Sequence, residues 1–376
     1  MTQPVSPPGF LRISGGPLRG YVAQLFVDGN VGAKSRVNID LTNIRTQEII
    51  ESVADLSTGA MISECTAESI GRWLYDDVLN GLLRHGAHRL TRIGFHILPR
   101  ELDYVPWELL HDGNQFLVLM DTGDIWRHPG FDFNTSTYLS GAFEPMQFMR
   151  DANLRAGEDR GIKLMTERLV GSRLLGVFCS PTTGYDRLDM RREMAHLRSM
   201  LGDTNRFTGD IIHQAVKADV VERLGSGAYQ ICHFSGHGVV DPETRRGALV
   251  LCDFGGRPEY LWVDELMELR SRGGVLPKLF VLSACQTAHT PFMGGFKDLA
   301  RGLIEATSAT VIAMQQPILD DSAIAFSRQF YRSLGEGYLV EDAVHASRAE
   351  MFRRKGSNRI DFATPVVYQE RQIGLA

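Results

Sequence analysis

The second half of the chain alternates short apolar runs with amphipathic stretches of helical period, and this alternation constrains the fold more than any other feature. Leu174–Cys179, Tyr229–Phe234, Gly247–Cys252, Leu279–Leu282, Thr310–Met314 and Pro365–Tyr368 read as strands. Runs this short, apolar and bounded by turn-forming residues are too brief for buried helices. Helical periods fall between or after them, at Asp189–Leu201, Ala218–Leu224, Val263–Arg270, Asp298–Ala306, Asp321–Leu334 and Val340–Arg354. A strand buried on both faces needs helices above and below it, so the pattern predicts an α/β fold with a mostly parallel sheet flanked by helices.

The first part reads as a smaller α/β unit. Strands are expected at Val37–Leu41, Arg92–Leu98, Phe116–Met120 and Asp124–Arg127, with helices near Thr46–Ala54 and Ser69–Leu83. Residues Gly130–Gly161 are aromatic, rich in Ser, Thr and Asn, and weakly periodic, which is the composition of a linker or of irregular packing. The expected organisation is an N-terminal unit over 1–130, a linker over 131–165 and a second domain over 166–376. No repeat of the 34-residue helical type is seen.

Composition excludes several classes. With 40 basic and 45 acidic residues the formal charge is −5, too mild and too mixed in sign for a nucleic-acid surface. No apolar stretch approaches the roughly 18 residues that span a bilayer, and Met1–Pro8 lacks the apolar core of a signal peptide. Five cysteines without a Cys-x-x-Cys pair argue against a disulfide framework and fit a reducing compartment. A cytoplasmic location without membrane association is the expectation.

The chemistry concentrates on His237 and Cys285. Each follows an apolar run and sits in a turn of small residues, His233-Phe-Ser-Gly-His-Gly238 and Leu282-Ser-Ala-Cys-Gln-Thr287. A thiol is only a few per cent ionised near neutral pH, so a nucleophilic cysteine needs an imidazole or another positive field beside it. A strand ending at Cys285 would hold the sulfur at the carboxyl edge of the sheet, where open α/β sheets keep their binding crevice. Gly238 lets backbone approach a substrate carbonyl, and its N–H with that of Cys285 could form an oxyanion hole. Cys179, Cys232 and Cys252 fall within or at the end of other apolar runs and read as small buried hydrophobes; Cys65 carries no such signal either.

These strings, in this order, resemble the CHAT proteases, bacterial caspase-like peptidases of clan CD related to separases, metacaspases and caspases. Pro106-Trp-Glu-Leu-Leu-His-Asp-Gly113 is similar to the family's segment ahead of the catalytic domain. The histidine and cysteine motifs follow at the caspase-like interval of about fifty residues. Gly302–Met314, Asp320, Phe330-Tyr331 and Thr364–Tyr368 also fall where the family pattern has them, so the likeness covers most of residues 60–370. The resemblance implies a caspase-haemoglobinase-like fold with a pseudo-caspase-like or regulatory N-terminal unit. It further implies hydrolysis of a peptide bond in a protein substrate through a thioester, with no metal or organic cofactor. By position, Cys285 is the nucleophile, His237 the general acid/base, and Gly238 and Cys285 the oxyanion donors.

Four further residues are candidates for contact with substrate. Where relatives that cut after basic residues carry an acidic side chain two positions before the nucleophile, this chain has Ser283, so a basic preference is not expected from that position. Asp253 follows a strand and reads either as a pocket carboxylate or as an exposed loop carboxylate. Glu193 occupies a place where the family often has Glu, or makes an ordinary surface pair on a helix. Gln316-Pro317 replaces the family's Trp-Pro after a late strand, so that edge of the substrate cleft departs from the pattern. His233 precedes His237 by four residues, but no Glu completes a zinc motif and Ser-Gly interrupts the helix such a motif needs, so a packed strand residue is expected.

The stretch Gln286–Lys297 is too short for the cleavable linker of executioner caspases, so activity without interchain cleavage is expected. Gly294-Gly295 suggests a mobile loop that orders when an activator or substrate docks. An activating partner or ligand acting in trans, in a bacterial defence or cell-death pathway, is the expectation by analogy with the family. The rival reading is a catalytically silent caspase-like scaffold that binds a partner protein. A nucleotide-binding reading fails because Gly15-Gly-Pro-Leu-Arg-Gly20 lacks the Lys-Ser/Thr of a phosphate loop.

Overall fold

A computed structural model describes residues 9–27, 30–58, 66–84, 92–120, 124–128, 169, 171–185, 187–203, 206–241, 243–244, 246–283, 295–315, 320–356 and 359–369. The chain forms two compact units, one comprising Met1–Ser52, Cys65–Glu167 and Glu370–Ala376, the other Val53–Glu64 and Arg168–Gln369.

In the first unit, β1 (Gly9–Gly16), β2 (Gly20–Val27), β3 (Asn30–Val37), β4 (Arg92–Ile97) and β5 (Asp124–His128) lie in the order β3-β2-β1-β4-β5. β1 pairs antiparallel with β2 and parallel with β4, and β4 pairs parallel with β5. Leu11 and Ile13 on β1 and Tyr21, Ala23 and Leu25 on β2 are buried while their neighbours are not, the period-two pattern of a strand packed on one face. The turn between β1 and β2 uses the glycines of the rejected phosphate loop. Gly15 has φ +103°, and a Cβ there would lie 2.3 Å from the Gly20 carbonyl oxygen. Only glycine fits that hairpin.

The helices here are α1 (Ile44–Thr58), which begins in this unit, and α2 (Ala67–Trp73), which continues as a π-turn over Leu74–Val78. Thr66 caps α2: its hydroxyl accepts from the Ser69 N–H at 3.1 Å, and the Ser69 hydroxyl accepts from the Thr66 N–H at 2.9 Å. Two sequence expectations fail. The strand expected at Val37–Leu41 lies earlier, at Asn30–Val37, and the expected strand Phe116–Met120 is a 3-10 turn over Leu117–Leu119. At that second position a tight turn bridges His111 to Phe116, and the Leu117 N–H folds back onto the Leu110 carbonyl, so the chain has no extended run.

Trp107 and Glu108 explain the Pro-Trp-Glu string. Trp107 is fully buried, stacks on Phe95 of β4 at 5.3 Å and donates its indole N–H to the Leu102 carbonyl. Glu108 is buried too and takes two hydrogen bonds from the Arg127 guanidinium of β5, at 3.0 and 2.6 Å; that guanidinium also donates to the carbonyls of Asp103 and Val105. Removing one partner leaves an uncompensated charge in the interior, at a cost of about 3–5 kcal/mol. Arg127→Ala and Glu108→Ala are each expected to lower stability by that amount. The measurement is equilibrium unfolding in urea, and a loss under about 1 kcal/mol in both variants would contradict it.

The second unit has a six-stranded sheet in the order β14-β13-β12-β8-β6-β7. Its strands are β6 (Arg173–Phe178), β7 (Thr208–His213), β8 (Ile231–Ser235), β12 (Leu279–Ser283), β13 (Thr310–Met314) and β14 (Pro365–Tyr368). All pairings are parallel except that of β13 with β14. Every residue of β8 and β12 is buried, whereas edge strand β7 is half-exposed along its length. The helices are α3 (Arg191–Asp203), α4 (Lys217–Gly225), α5 (Val263–Ser271), α6 (Gly295–Thr307), α7 (Asp320–Gly335) and α8 (Val340–Lys355). α6 starts at Gly295, three residues earlier than expected from the sequence, so the second glycine of the pair opens the helix rather than a loop.

A second, antiparallel sheet consists of β9 (His237–Val240), β10 (Gly247–Cys252) and β11 (Pro258–Trp262), in the order β11-β10-β9. The core under these sheets joins Leu175 and Val177 of β6, Phe234 of β8, Leu249 and Leu251 of β10, Phe280 and Leu282 of β12, and Leu299, Leu303 and Ile304 of α6. No described helix is long and apolar enough to cross a membrane.

Candidate functional site

From β6 the chain goes to β7 on one side and later to β8 on the other, so the strand order reverses there. Such a switch point, at the carboxyl ends of the strands, is where open α/β sheets bind ligands. The residues at those ends are Phe178-Cys179-Ser180 after β6 and Ser235-Gly-His237 after β8, with Ser283 closing the neighbouring β12.

His237 reaches the crevice because the chain changes sheets there. β8 ends at Ser235, Gly236 makes the crossing, and His237 opens β9, paired with Val250 of β10. A Cβ on Gly236 would lie 2.7 Å from Phe234 Cζ and 2.8 Å from the Cys179 carbonyl oxygen, so only glycine allows the crossing this close to β6. The imidazole of His237 is almost wholly buried and stacks on Tyr185, with ring centroids 4.9 Å apart. The Tyr185 hydroxyl meets that of Tyr260 on β11 at 3.1 Å, and burial, followed by this contact, pushes the Tyr185 phenol upward in pKa. The turn carrying Tyr185 is tied to the β10–β11 hairpin: the Thr182 N–H and hydroxyl both donate to the Gly256 carbonyl at 3.0 Å. Histidine, aromatic wall and hairpin therefore form one braced flank. Gly238 follows on β9, opposite Leu249.

Beneath the strand ends lies a buried polar cluster. Glu193, on α3, is only 8% exposed, which overturns the alternative of a surface pair. Its carboxylate accepts from the Ser235 hydroxyl at 2.8 Å and from the Ser327 hydroxyl of α7 at 3.5 Å, bonds the Ser283 hydroxyl, and meets His233 Nε2 at 3.2 Å. His233 Nδ1 meets the Tyr331 hydroxyl of α7 at 2.8 Å. With Tyr331 donating to Nδ1, the Nε2–H is left to donate to Glu193. His233 is thus a buried strand residue, as expected, but one that carries a hydrogen-bond chain as well as packing. Burial alone would raise the Glu193 pKa; the hydrogen bonds from His233, Ser283 and Ser235 outweigh it and hold the carboxyl below its ordinary range.

The other residues singled out in the sequence are distributed as follows. Asp253 shapes the β10–β11 turn: its Oδ1 accepts from the N–H groups of Gly255 and Arg257 at 2.8 and 2.9 Å. Ser283 is buried at the end of β12. Cys285, Gln316 and Cys65 lie outside the described residues. Cys179 and Cys252 are fully buried with sulfurs 3.0 Å apart, and Cys232 is buried on β8. Burial pushes the Cys232 thiol up to about 12, and burial with the neighbouring Cys252 raises that of Cys179. Such thiols are poor nucleophiles at neutral pH. No group of three or more metal-ligating side chains occurs among the described residues.

Sequence reasoning missed Tyr185, Ser235, Gly236 and Tyr331. One signal was available for Ser235: the strings Ser235-Gly-His237 and Ser283-Ala-Cys285 place a serine and a small residue ahead of each candidate catalytic residue. Tyr185 had no such signal, because its partner Tyr260 is distant in sequence.

A mostly parallel α/β sheet, a histidine at its switch point and a small antiparallel sheet beside it define the caspase-like class of fold. The chain belongs to the CHAT domain family, whose profile matches residues 68–367. Among solved structures it is similar to separase from Saccharomyces cerevisiae, crystallised with securin, at 10% identity and a TM-score of 0.53 over 97% of this chain and 30% of that one. It also aligns with RgpB of Porphyromonas gingivalis, in a complex of pro- and mature domains, at 11% identity and a TM-score of 0.45, covering 88% and 77% of the two chains. A third alignment, with the Drosophila initiator caspase Dronc, has 10% identity and a TM-score of 0.32 over 54% and 84%. No curated protein sequence matches it.

The lowered pKa of Glu193 fixes the sign of a pH effect. Its contribution to stability is complete above the unfolded value near 4.5 and is lost as pH falls through the lower folded value. The stability difference between the native chain and Glu193→Gln is therefore expected to be constant near neutrality and to shrink on acidification below about pH 4.5. Urea midpoints measured from pH 7 to pH 3 test this, and a gap that widens on acidification would refute it.

Proposed function

We propose that the protein is a cysteine endopeptidase in which Cys285 attacks a peptide carbonyl and His237 manages the protons. The observation that carries this reading is the register of β8 and β12. Ser235 and Ser283 are direct partners on adjacent parallel strands, and the two candidate residues each follow two positions later. Two peptide units span about 7 Å at most and neighbouring strands stand about 4.8 Å apart, so the reading asks for no more than two residues of chain beyond each of these paired positions. Membership of the CHAT family supports the same roles, as does the burial of Cys179, Cys232 and Cys252.

In the proposed cycle His237 takes the thiol proton, the thiolate adds to the scissile carbonyl, and the N–H groups of Gly238 and Cys285 stabilise the oxyanion. The imidazolium then protonates the leaving amine, and water, deprotonated by His237, hydrolyses the thioester. Stacking on Tyr185 holds the imidazole plane, which favours a single attack geometry. No cofactor enters the cycle. The second unit, 166–376 in the sequence reading, would carry the chemistry, the first unit a regulatory role, and 131–165 the connection.

The substrate is a protein. Ser283 and Glu193 bond each other in the interior, so neither meets a basic substrate residue from this position, while Asp253 has its Oδ1 engaged in its own turn and stays a candidate through Oδ2. Gln316 remains a candidate for the edge of the cleft. Activation by a partner or ligand, within a bacterial defence or cell-death pathway, follows from the family analogy.

A peptide electrophile is expected to label Cys285 covalently, with labelling abolished in Cys285→Ala and reduced at least about a hundredfold in His237→Ala. Intact-mass spectrometry reads the result. Labelling of another cysteine, or undiminished labelling in His237→Ala, would favour the silent scaffold. Activation is further expected without cleavage of the chain between Cys285 and Asp298, and a cut there that always accompanies activity on denaturing gels would contradict it.

A further inference from the structure

The buried carboxylate of Glu193 takes no part in the cycle above. Holding a carboxylate in the interior is costly unless it is fully hydrogen-bonded, and a neutral or apolar side chain would fill the same space more cheaply. What a carboxylate adds is two oxygens that accept from several donors at once. Here the donors come from two neighbouring strands: Ser235 from the last position of β8 and Ser283 from the last position of β12, with His233 joining from within β8.

These serines stand where the parallel ladder stops. Beyond Ser235 the chain leaves the main sheet through Gly236, so on the β8 side the ladder with β12 ends at this pair. We propose that Glu193 is a positioning residue: by bonding both Ser235 and Ser283 it ties together the two strand ends that lead to the residues of the proposed dyad. The inference rests on the dyad reading above and adds to it the element that fixes its spacing. The clamp is braced from behind, because His233 is held by Tyr331 and Ser327 of the same α7 reaches the carboxylate. A displacement of about 1 Å between reacting groups can cost two orders of magnitude in rate, so the tie has leverage on the chemistry. The titratable and charged groups around Glu193 are His233 on β8, His196 on α3 itself and Tyr331 on α7, with Arg328 of α7 acting on His196.

The test is the rate of alkylation of Cys285 by iodoacetamide in the full chain, followed peptide by peptide by mass spectrometry as a function of pH. In the native chain the midpoint of the rate profile should lie below the ordinary thiol value of about 8.5. It should rise in His237→Ala. Glu193→Gln should move it upward toward the His237→Ala value and slow alkylation at neutral pH about tenfold or more. A residue that only supports the fold would lower the unfolding midpoint and leave the pH profile in place. A folded Glu193→Gln with the native profile, while His237→Ala is shifted, overturns the clamp and spares the dyad. An unshifted His237→Ala overturns the dyad itself, and the clamp with it. If Glu193→Gln does not fold, the double variant Ser235→Ala/Ser283→Ala decides: the same upward shift supports the clamp, and a native profile refutes it.

Discussion

The parallel pairing of β8 with β12 is the constraint on which the rest of the site depends. Both strands are buried along their whole length, so their register is set by backbone hydrogen bonds and by side chains packed on both faces. That register brings Ser235 opposite Ser283, although β9, β10, β11 and α5 all lie between them in sequence. A slip of one residue would turn every side chain to the opposite face and put Phe234 or Leu282 where Ser235 or Ser283 now bonds Glu193. The apolar core thus fixes a polar geometry at the strand ends.

The antiparallel sheet of β9, β10 and β11 has a different task. It receives the chain as it leaves β8 and gives His237 a backbone partner in Val250 at the point where the main sheet no longer provides one. Tyr185 and Tyr260 then close around the imidazole from a turn and a hairpin that are zipped together at Thr182 and Gly256. Stacking on Tyr185 and backbone pairing with Val250 both hold the histidine. Two systems therefore converge on the crevice, one aromatic and half-buried, the other ionic and interior.

Much of the fold was legible because it is written in local pattern. Buried parallel strands have short apolar runs, and Leu174–Cys179, Tyr229–Phe234, Leu279–Leu282 and Thr310–Met314 coincide closely with β6, β8, β12 and β13. Strands that bury one face or none were harder to see. β7 has only Ile211 and Ile212 as large apolar residues and is half-exposed, so Thr208–His213 lacks the run that marks its neighbours. β1 and β2 alternate buried and less buried residues, and no strand was expected there. Glu193 shows the limit at the level of one residue: a glutamate on a helix of mixed charge has the local signature of a surface residue, and only its distant partners Ser235, Ser283 and Ser327 put it inside.

The sequence alone determined the α/β class, the family through strings such as Pro106-Trp-Glu and Ser283-Ala-Cys-Gln, and which histidine and cysteine to single out. It could do so because hydrophobic period and short motifs are local properties that survive without knowledge of contacts. Only the tertiary structure decided that His237 stacks on Tyr185 and that Glu193 is interior and joined to two strand ends. Those facts are contacts between segments tens to more than a hundred residues apart, and such contacts exist only once burial and strand register have brought the segments together.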